Sequence, residues 1–431
     1  MAIATAAGVG GVGIVRASGP RAIAIVADVL GVATAELDRR VRVGWARGQD
    51  GTRLDQVLAF AMRAPASFTG EDVAELHGHG GGHNLDRLLA AVVARGARIA
   101  EPGEFTRRAV LNGKLDLPRA EALLEVIQAG SERAWRLAQR NLAGRLGEVA
   151  AELEARALAV LAELEGRIDF PDDDFAPEDE RSVDSELADL SASCARLADS
   201  FRHGRALGQG VAIALVGAVN VGKSSLLNAL VGAERALVAA APGTTRDYLE
   251  VHGEWDGVAV TLVDTAGTRD TTDPVEARGI ALGEQRVASA DVVVVLNDGI
   301  APWDDGARFD ARALVVRSKA DLGGDLRGAL ATSATTGAGL ADLRRHALAL
   351  AGVAEREGSE DAFVTTARQH ATLTAAKQAL AAALAGRARR SASEIVALEI
   401  RQAARALAEL RGVEVGERVL DEVFARFCIG K

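Results

Sequence analysis

The spacing of apolar positions changes character along the chain. From residue 1 to about 117, short runs such as Gly11–Arg16 and Val57–Met62 alternate with glycine-rich turns, and a helical stretch lies near Asn84–Arg95. This reads as a small α/β domain. From about Leu117 to Gly204 the period is helical: Leu146, Val149 and Leu153, then Leu161, Leu164 and Ile168, predict one buried face. The acidic, proline-containing stretch Asp169–Phe175 interrupts it, so two long helices joined by a bend are expected. Between about Gly208 and Val353 the runs Val211–Val216, Val258–Val263, Val292–Leu296 and Ala313–Val316 alternate with helical segments, the pattern of a parallel sheet covered by helices. After Gly358 helical spacing returns with Val396, Ile400, Ala403, Leu407 and Leu410, and Ser391-x-x-Glu394 is the expected capping box. A helical region that stops, admits an α/β unit and resumes implies an inserted central domain.

Composition narrows the classes. The chain is 48% apolar with only 3% aromatics, which favours helices packed through small side chains, and its length suits several domains with real cores. A formal charge of −10 argues against a general polyanion binder. Cys194 and Cys428 lie far apart, which fits a reduced protein without a disulfide framework. Met1–Arg16 has no basic leader and is broken by glycines, unlike a signal peptide. No apolar run is long enough to span a bilayer, so a soluble, cytoplasmic chain without a membrane partner is expected. Lysine is scarce: Lys114, Lys223, Lys319, Lys377 and Lys431 are all there are, and every other basic residue is Arg. Lysine kept against such a bias marks places that need a compact, flexible ammonium. All but Lys377, expected on a helix surface, fall in motifs that handle anions.

Gly217-Ala-Val-Asn220-Val221-Gly222-Lys223-Ser224 follows an expected strand and opens an expected helix, as a phosphate-binding loop requires. Its backbone N–H groups converge on phosphate oxygens, Lys223 reaches the β and γ phosphates, and Ser224 suits Mg²⁺; Ser225 completes the set. Asp264-Thr265-Ala266-Gly267 ends the run Val258–Val263, with a carboxylate for the magnesium shell and a Gly267 N–H for the γ-phosphate. Ser318-Lys319-Ala320-Asp321 follows another strand. The Asp321 carboxylate can accept from guanine N1–H and N2–H₂ but would face a lone pair on adenine, which selects GTP. GTPases usually carry Asn where Ser318 stands, so a contact near N7 or to the phosphate loop is expected to be lost. Thr332-Ser333-Ala334 matches the element whose backbone reads guanine O6, and Thr335 joins Ser333 and Ala334 in the expected nucleotide site. Thr268 follows Gly267 where Ras-like proteins place a glutamine, so hydrolysis needs another device.

With Asn220 in the phosphate loop and Gly243-Thr244-Thr245-Arg246-Asp247 as first switch, the segment resembles the potassium-dependent branch of translation-factor-related GTPases. That resemblance implies K⁺ held by Asn220, Thr244 and the backbone of Ala239 and Ala241. It places Ala240, Pro242 and Gly243 in the same nucleotide-binding loop and Thr245 on Mg²⁺. Ala239–Ala241 replaces a more polar stretch of that branch. The resemblance makes Glu276 the general base; an ordinary acidic first-turn residue is the alternative. Arg269 reads either as a switch residue or as a solvated side chain.

Gly10–Arg16, Ser67–Asp72, Gly78–Gly81, Pro102–Phe105, Lys114–Leu117 and the ending Phe427-Cys428-Ile429-Gly430-Lys431 together resemble the MnmE (TrmE) family of tRNA wobble-uridine modification GTPases, over the whole chain. The ending is not a prenylation box, because Gly430 is not aliphatic and Lys431 is not an accepted last residue. The resemblance implies a multidomain α/β and α fold: an N-terminal α/β dimerisation domain (1–117), an all-α helical domain in two segments (118–207 and 356–431), and an inserted, doubly wound P-loop GTPase domain (208–355). It also implies a homodimer, an FAD-containing partner subunit (MnmG, or GidA), tRNA as substrate, and 5-formyltetrahydrofolate or a related tetrahydrofolate at Arg16, Glu75, Lys114 and Lys431. Cys428 is then either a participant in modification chemistry or an inert buried thiol; Cys194 reads as structural. His77, His79 and His83 lack a completing cysteine or carboxylate and are read as part of a glycine turn, not a metal site. A ribosome-assembly GTPase and a folate enzyme with a regulatory G domain are the rival readings.

Overall fold

Period-two alternation builds the first sheet. The computed structural model describes residues 1–169, 177–232, 250–264, 284–299, 304, 306–323, 329–353, 362–413 and 415–430, in two compact units: Met1–Leu124 with Ala408–Lys431, and Glu125–Leu407. In the first unit, strands β1 (Ala2–Ile3), β2 (Val12–Ser18), β3 (Arg42–Arg47), β4 (Arg53–Met62) and β5 (Val73–His79) form an antiparallel sheet of order β1-β2-β5-β4-β3. Val15 and Ala17, Val57, Ala59 and Ala61, and Ala74 and Leu76 point to helices α1 (Ala22–Leu30) and α2 (Gly82–Val93), which cover one face. The alternate positions lie on the other face, in cross-strand rows Val43–Leu58–His77–Ile14 and Phe60–Glu75–Arg16. Gly80 is required by close approach: a Cβ there would lie 2.1 Å from the Gly10 carbonyl oxygen.

Helix α3 (Glu104–Leu111) starts in a carboxylate network. Glu104 accepts from Arg98, Arg108 and the Glu101 N–H at 2.6–3.1 Å. Burial pushes the Glu104 carboxyl up, but these donors more than offset it and hold its pKa at about 2. Because the folded pKa is depressed, the stabilisation is complete above the unfolded value near 4.5 and is lost as pH falls toward about 2. With Arg98 exposed and screened, the expected contribution is about 2 kcal/mol. Glu104→Gln should therefore lower the urea midpoint at neutral pH, and the gap to the parent should close as pH drops below about 4.5.

Helix α4 (Leu117–Gln128) leads into the second unit through α5 (Glu132–Ala143), α6 (Arg145–Asp169), α7 (Pro177–Asp199) and α8 (Phe201–Gln209). The buried face of α6 is Leu146, Ala150, Leu153, Ala157, Val160, Leu161 and Leu164, with Val149 and Ile168 only half-buried. Residues 170–176 of the expected bend lie outside the described residues. The second sheet holds β6 (Val211–Gly217), β7 (Glu250–Trp255), β8 (Val258–Asp264), β9 (Val292–Asn297), β10 (Ala313–Arg317) and β11 (Leu330–Ala331), in the order β11-β10-β9-β6-β8-β7. It is not purely parallel: β7 pairs antiparallel with β8 through an Asp256-Gly257 turn with both residues at positive φ. Helices α9 (Lys223–Val231) and α10 (Leu340–Leu350) contribute to its core, as do Leu137 of α5 and Ala206 and Leu207 of α8.

Helices α11 (Ala367–Ala388) and α12 (Ser393–Arg411) follow. The expected capping box at Ser391 is not formed. Arg390 is left-handed (φ 53) and the Ser391 N–H closes back on Gly386 O at 2.9 Å, so Ser391 ends α11 and α12 starts at Ser393. The capping box sits instead at Thr366 and Gln369, where α11 begins. The chain then returns to the first unit, where Leu420 and Phe424 of α13 (Glu417–Phe424), and Phe427 just after it, pack against Leu117 and Ala120.

Candidate functional site

In the second unit the motif residues gather at the carboxyl ends of parallel strands, where open α/β sheets bind ligands. β6 ends at Gly217 (φ 152), and the loop passes through Asn220 (φ 63) and Gly222 (φ 105) into α9. Asn tolerates the left-handed region and glycine favours it, so the sequence permits this path. Val221 is buried beneath the loop, while Asn220, Ser224 and Ser225 are exposed. Lys223 opens α9 with its Nζ donating to Gly217 O and Ala218 O at 2.9 and 3.0 Å. Burial pushes the Lys223 ammonium pKa down and the nearby Asp264 carboxylate only partly opposes this, so an arriving phosphate would supply the missing counter-charge.

Ser224 Oγ donates to Asp264 Oδ2 at 2.9 Å, while Asp264 Oδ1 is buried with no hydrogen-bond partner among the described residues. A hydroxyl and an under-satisfied carboxylate oxygen are hard donors, and they fit Mg²⁺.

At the end of β10, Ser318 corrects one expectation. Its Oγ donates to Val221 O at 2.7 Å, so the bond to the phosphate loop is present despite the short side chain. Ser318 is buried under the loop, close enough for a hydroxyl to span the gap. Lys319 is left-handed (φ 54) and lies across the loop, its Nζ donating to Asn220 O at 2.8 Å and pairing with Asp298 at 3.2 Å. The Ala320 N–H bonds to Thr332 O at 3.0 Å, which brings the Ser318–Asp321 segment beside Ser333, Ala334 and Thr335. Asp321 is exposed at the tip. Ala239, Ala240, Ala241, Pro242, Gly243, Thr244, Thr245, Thr265, Ala266, Gly267, Arg269, Glu276 and Lys431 lie outside the described residues.

In the first unit, Arg16 Nε donates to Glu75 Oε1 at 2.7 Å across the β2–β5 pair, and the Arg16 guanidinium lies 5.8 Å from the Phe105 ring centroid. Lys114 Nζ donates to Pro65 O at 3.2 Å. Cys428 is exposed, so the buried-thiol alternative does not hold. Its carbonyl accepts from Gly103 N at 3.4 Å, and Ile429 bridges Pro102, so the tail and Arg16 both meet the 102–105 segment. Cys194 is buried, its thiol pushed up to about 11 by burial. Among the glycine-turn histidines, His77 pairs with Glu75 and His79 with Asp55. Among the described residues no three metal-ligating side chains cluster.

Two family profiles cover the chain: the GTP-binding protein TrmE N-terminus over residues 1–114 and the MnmE helical domain over residues 117–428. The chain belongs to the MnmE family of tRNA modification GTPases. Relatives of that description include proteins from Synechococcus sp. (strain CC9605), 43% identical over 100% of this chain and 98% of that protein, and Moorella thermoacetica, 40% identical over 100% and 98%. A solved G domain of the T. maritima FeoB iron transporter is 24% identical over 33% of this chain and 98% of its own, with a TM-score of 0.27.

In this MnmE-family chain, the supports of the Ser318–Asp321 segment escaped sequence reasoning. Asn297 ends β9 with its carbonyl accepting from Ser318 N at 2.8 Å, while its side chain clamps the backbone of Asp304 at 2.8 Å on both sides. Two polar residues closing the fully buried run Val292–Leu296 were the available signal.

Proposed function

We propose that this chain is a GTP hydrolase, converting GTP to GDP and phosphate, that works in tRNA wobble-uridine modification. The observation that carries the reading is the buried Lys223 ammonium inside the loop, next to the Ser224–Asp264 oxygen pair, with Asp321 exposed after β10. Loop N–H groups and Lys223 bind the phosphates, Asp321 orients the purine, and Ser224, Asp264 and Thr245 would hold Mg²⁺, which would supply positive charge against the phosphates. Asn220, Thr244 and the backbone of Ala239 and Ala241 would hold K⁺, which would supply charge compensation for the leaving oxygen, and Glu276 would act as the general base through a water. Domain limits of 1–117, 118–207 with 356–431, and 208–355 fit this division of labour.

Two copies pair through the first unit, whose open sheet face exposes Val12, Val43, Trp45 and Leu58, more apolar surface than a solvent-facing sheet needs. With an FAD-containing partner, MnmG, the dimer adds a (carboxymethyl)aminomethyl group at C5 of uridine 34 of certain tRNAs, the one-carbon unit coming from a formyltetrahydrofolate held by Arg16, Glu75, Lys114 and Lys431. A cytoplasmic location suits a tRNA substrate, and no helix among the described residues is long and apolar enough to cross a membrane.

The test is nucleoside mass spectrometry of tRNA from a deletion strain carrying either the parent gene or Cys428→Ser. The parent should restore the modified uridine; Cys428→Ser should not, while its purified protein still hydrolyses GTP at the parental rate. An unchanged nucleoside profile on deletion would favour the ribosome-assembly reading and end this one.

A further inference from the structure

We propose that His77 is a positioning residue of the folate site, acting through Glu75 and making ligand affinity depend on pH. This rests on the folate reading above. Glu75 is buried at 5% exposure, and its two oxygens are held by different strands. Oε1 accepts from Arg16 Nε of β2, and Oε2 faces Nε2 of His77, each at 2.7 Å. The imidazole is fixed edge-on against the Phe60 ring, with centroids 5.3 Å apart and planes at 62°. Glu75, His77 and Phe60 thus form a built corner of the open sheet face, with Arg16 closing it.

Within one copy, and among the described residues, the charged surroundings of His77 are few. On β5 they are Glu75 and His79, the latter turned to Asp55; on β2 the charged residue is Arg16. Across the sheet β4 offers Leu58 and Phe60, and β2 offers Ile14, all apolar. From α3 comes Phe105, over Arg16. Burial pushes the Glu75 carboxyl up, but the His77 hydrogen bond and the Arg16 charge more than offset it and leave it below the usual range.

Against an ionised carboxylate the neutral imidazole must carry its proton on Nε2. A neutral donor holds Oε2 in place and leaves the Arg16–Glu75 pair without net charge. The carboxylate's remaining lone pairs can then accept the amino and ring N–H donors of a 2-amino-4-oxo pterin. Protonating His77 adds a full positive charge to the corner. The carboxylate is then shared between two cations, Arg16 on Oε1 and His77 on Oε2, and the ligand's N–H donors meet a net positive site. Affinity should fall on acidification, by about tenfold, the scale of one weakened charge-assisted hydrogen bond.

The experiment is calorimetric titration of the full-length protein with 5-formyltetrahydrofolate between about pH 7.5 and pH 5.5. The parent's Kd should rise about tenfold across it. His77→Gln keeps a neutral N–H toward Oε2, so it should bind like the parent at the upper pH and stay flat to the lower. His77→Leu removes the donor and should bind more weakly throughout. Parallel profiles for the parent and His77→Gln, or parental affinity in His77→Leu, would overturn the role of His77 alone. No binding by the parent at any pH would overturn the folate reading as well.

Discussion

Lys223→Ala is expected to lower GTP turnover by about 10²–10³-fold, the usual effect of removing one preorganised charge or donor from a transition state. Lys223 is buried, and among the described residues its ammonium is satisfied by two carbonyls of its own loop, Gly217 O and Ala218 O. That arrangement aims a compact cation at the loop interior before any phosphate arrives, so little reorganisation is needed on binding. Arginine should not substitute, because a planar guanidinium cannot fit the space held by one Nζ between two carbonyls. Single-turnover kinetics separate the contributions: loss in the chemical step marks charge stabilisation in the transition state, whereas loss confined to KM would mean ground-state binding alone. Turnover within a few-fold of the parent in Lys223→Ala would remove this loop from the mechanism.

The loop was legible in sequence because its backbone path constrains residue choice. Positive φ at Gly217, Asn220 and Gly222 admits few residue types, and a lysine at the helix start is conspicuous in a chain with so few. The four apolar strand runs were legible for a similar reason: Val292–Leu296 is apolar on both faces, as a central parallel strand must be. What failed was any feature set by tertiary neighbours. β7 carries Glu, His, Gly and Glu in six residues and becomes a strand only because β8 offers it an edge. Ser318 looked deficient beside the usual Asn, yet the depth at which Val221 lies lets a hydroxyl make the bond. The Ser391 cap had the right residues, but a left-handed Arg390 gave Ser391 to the preceding helix. In the first unit, Glu75-x-His77 has the strand spacing that puts both on one face; the pairing went unread because Glu75 is buried in a strand that shows no clean alternation.

Asp321→Asn should exchange the base preference and leave the fold intact. Guanine presents two donors, N1–H and N2–H₂, and the carboxylate accepts both; Asn offers one acceptor and one donor, so one pair becomes repulsive. Xanthine carries an oxygen in place of the amino group and matches Asn instead. A hydrogen bond to a charged group contributes about 1.5–3 kcal/mol, so GTP affinity should fall about 10–100-fold while xanthosine triphosphate gains. The segment itself should stay in place, because its anchors do not involve the Asp321 side chain. Lys319 is tied to Asn220 O and Asp298, Ala320 N to Thr332 O, and Arg317 Nη2 to Gly323 O at 3.0 Å. Paired titrations of both nucleotides against parent and variant read the ratio directly. An unchanged ratio would mean that the purine is selected elsewhere, and the exposed tip beyond β10 would lose its role as the guanine reader.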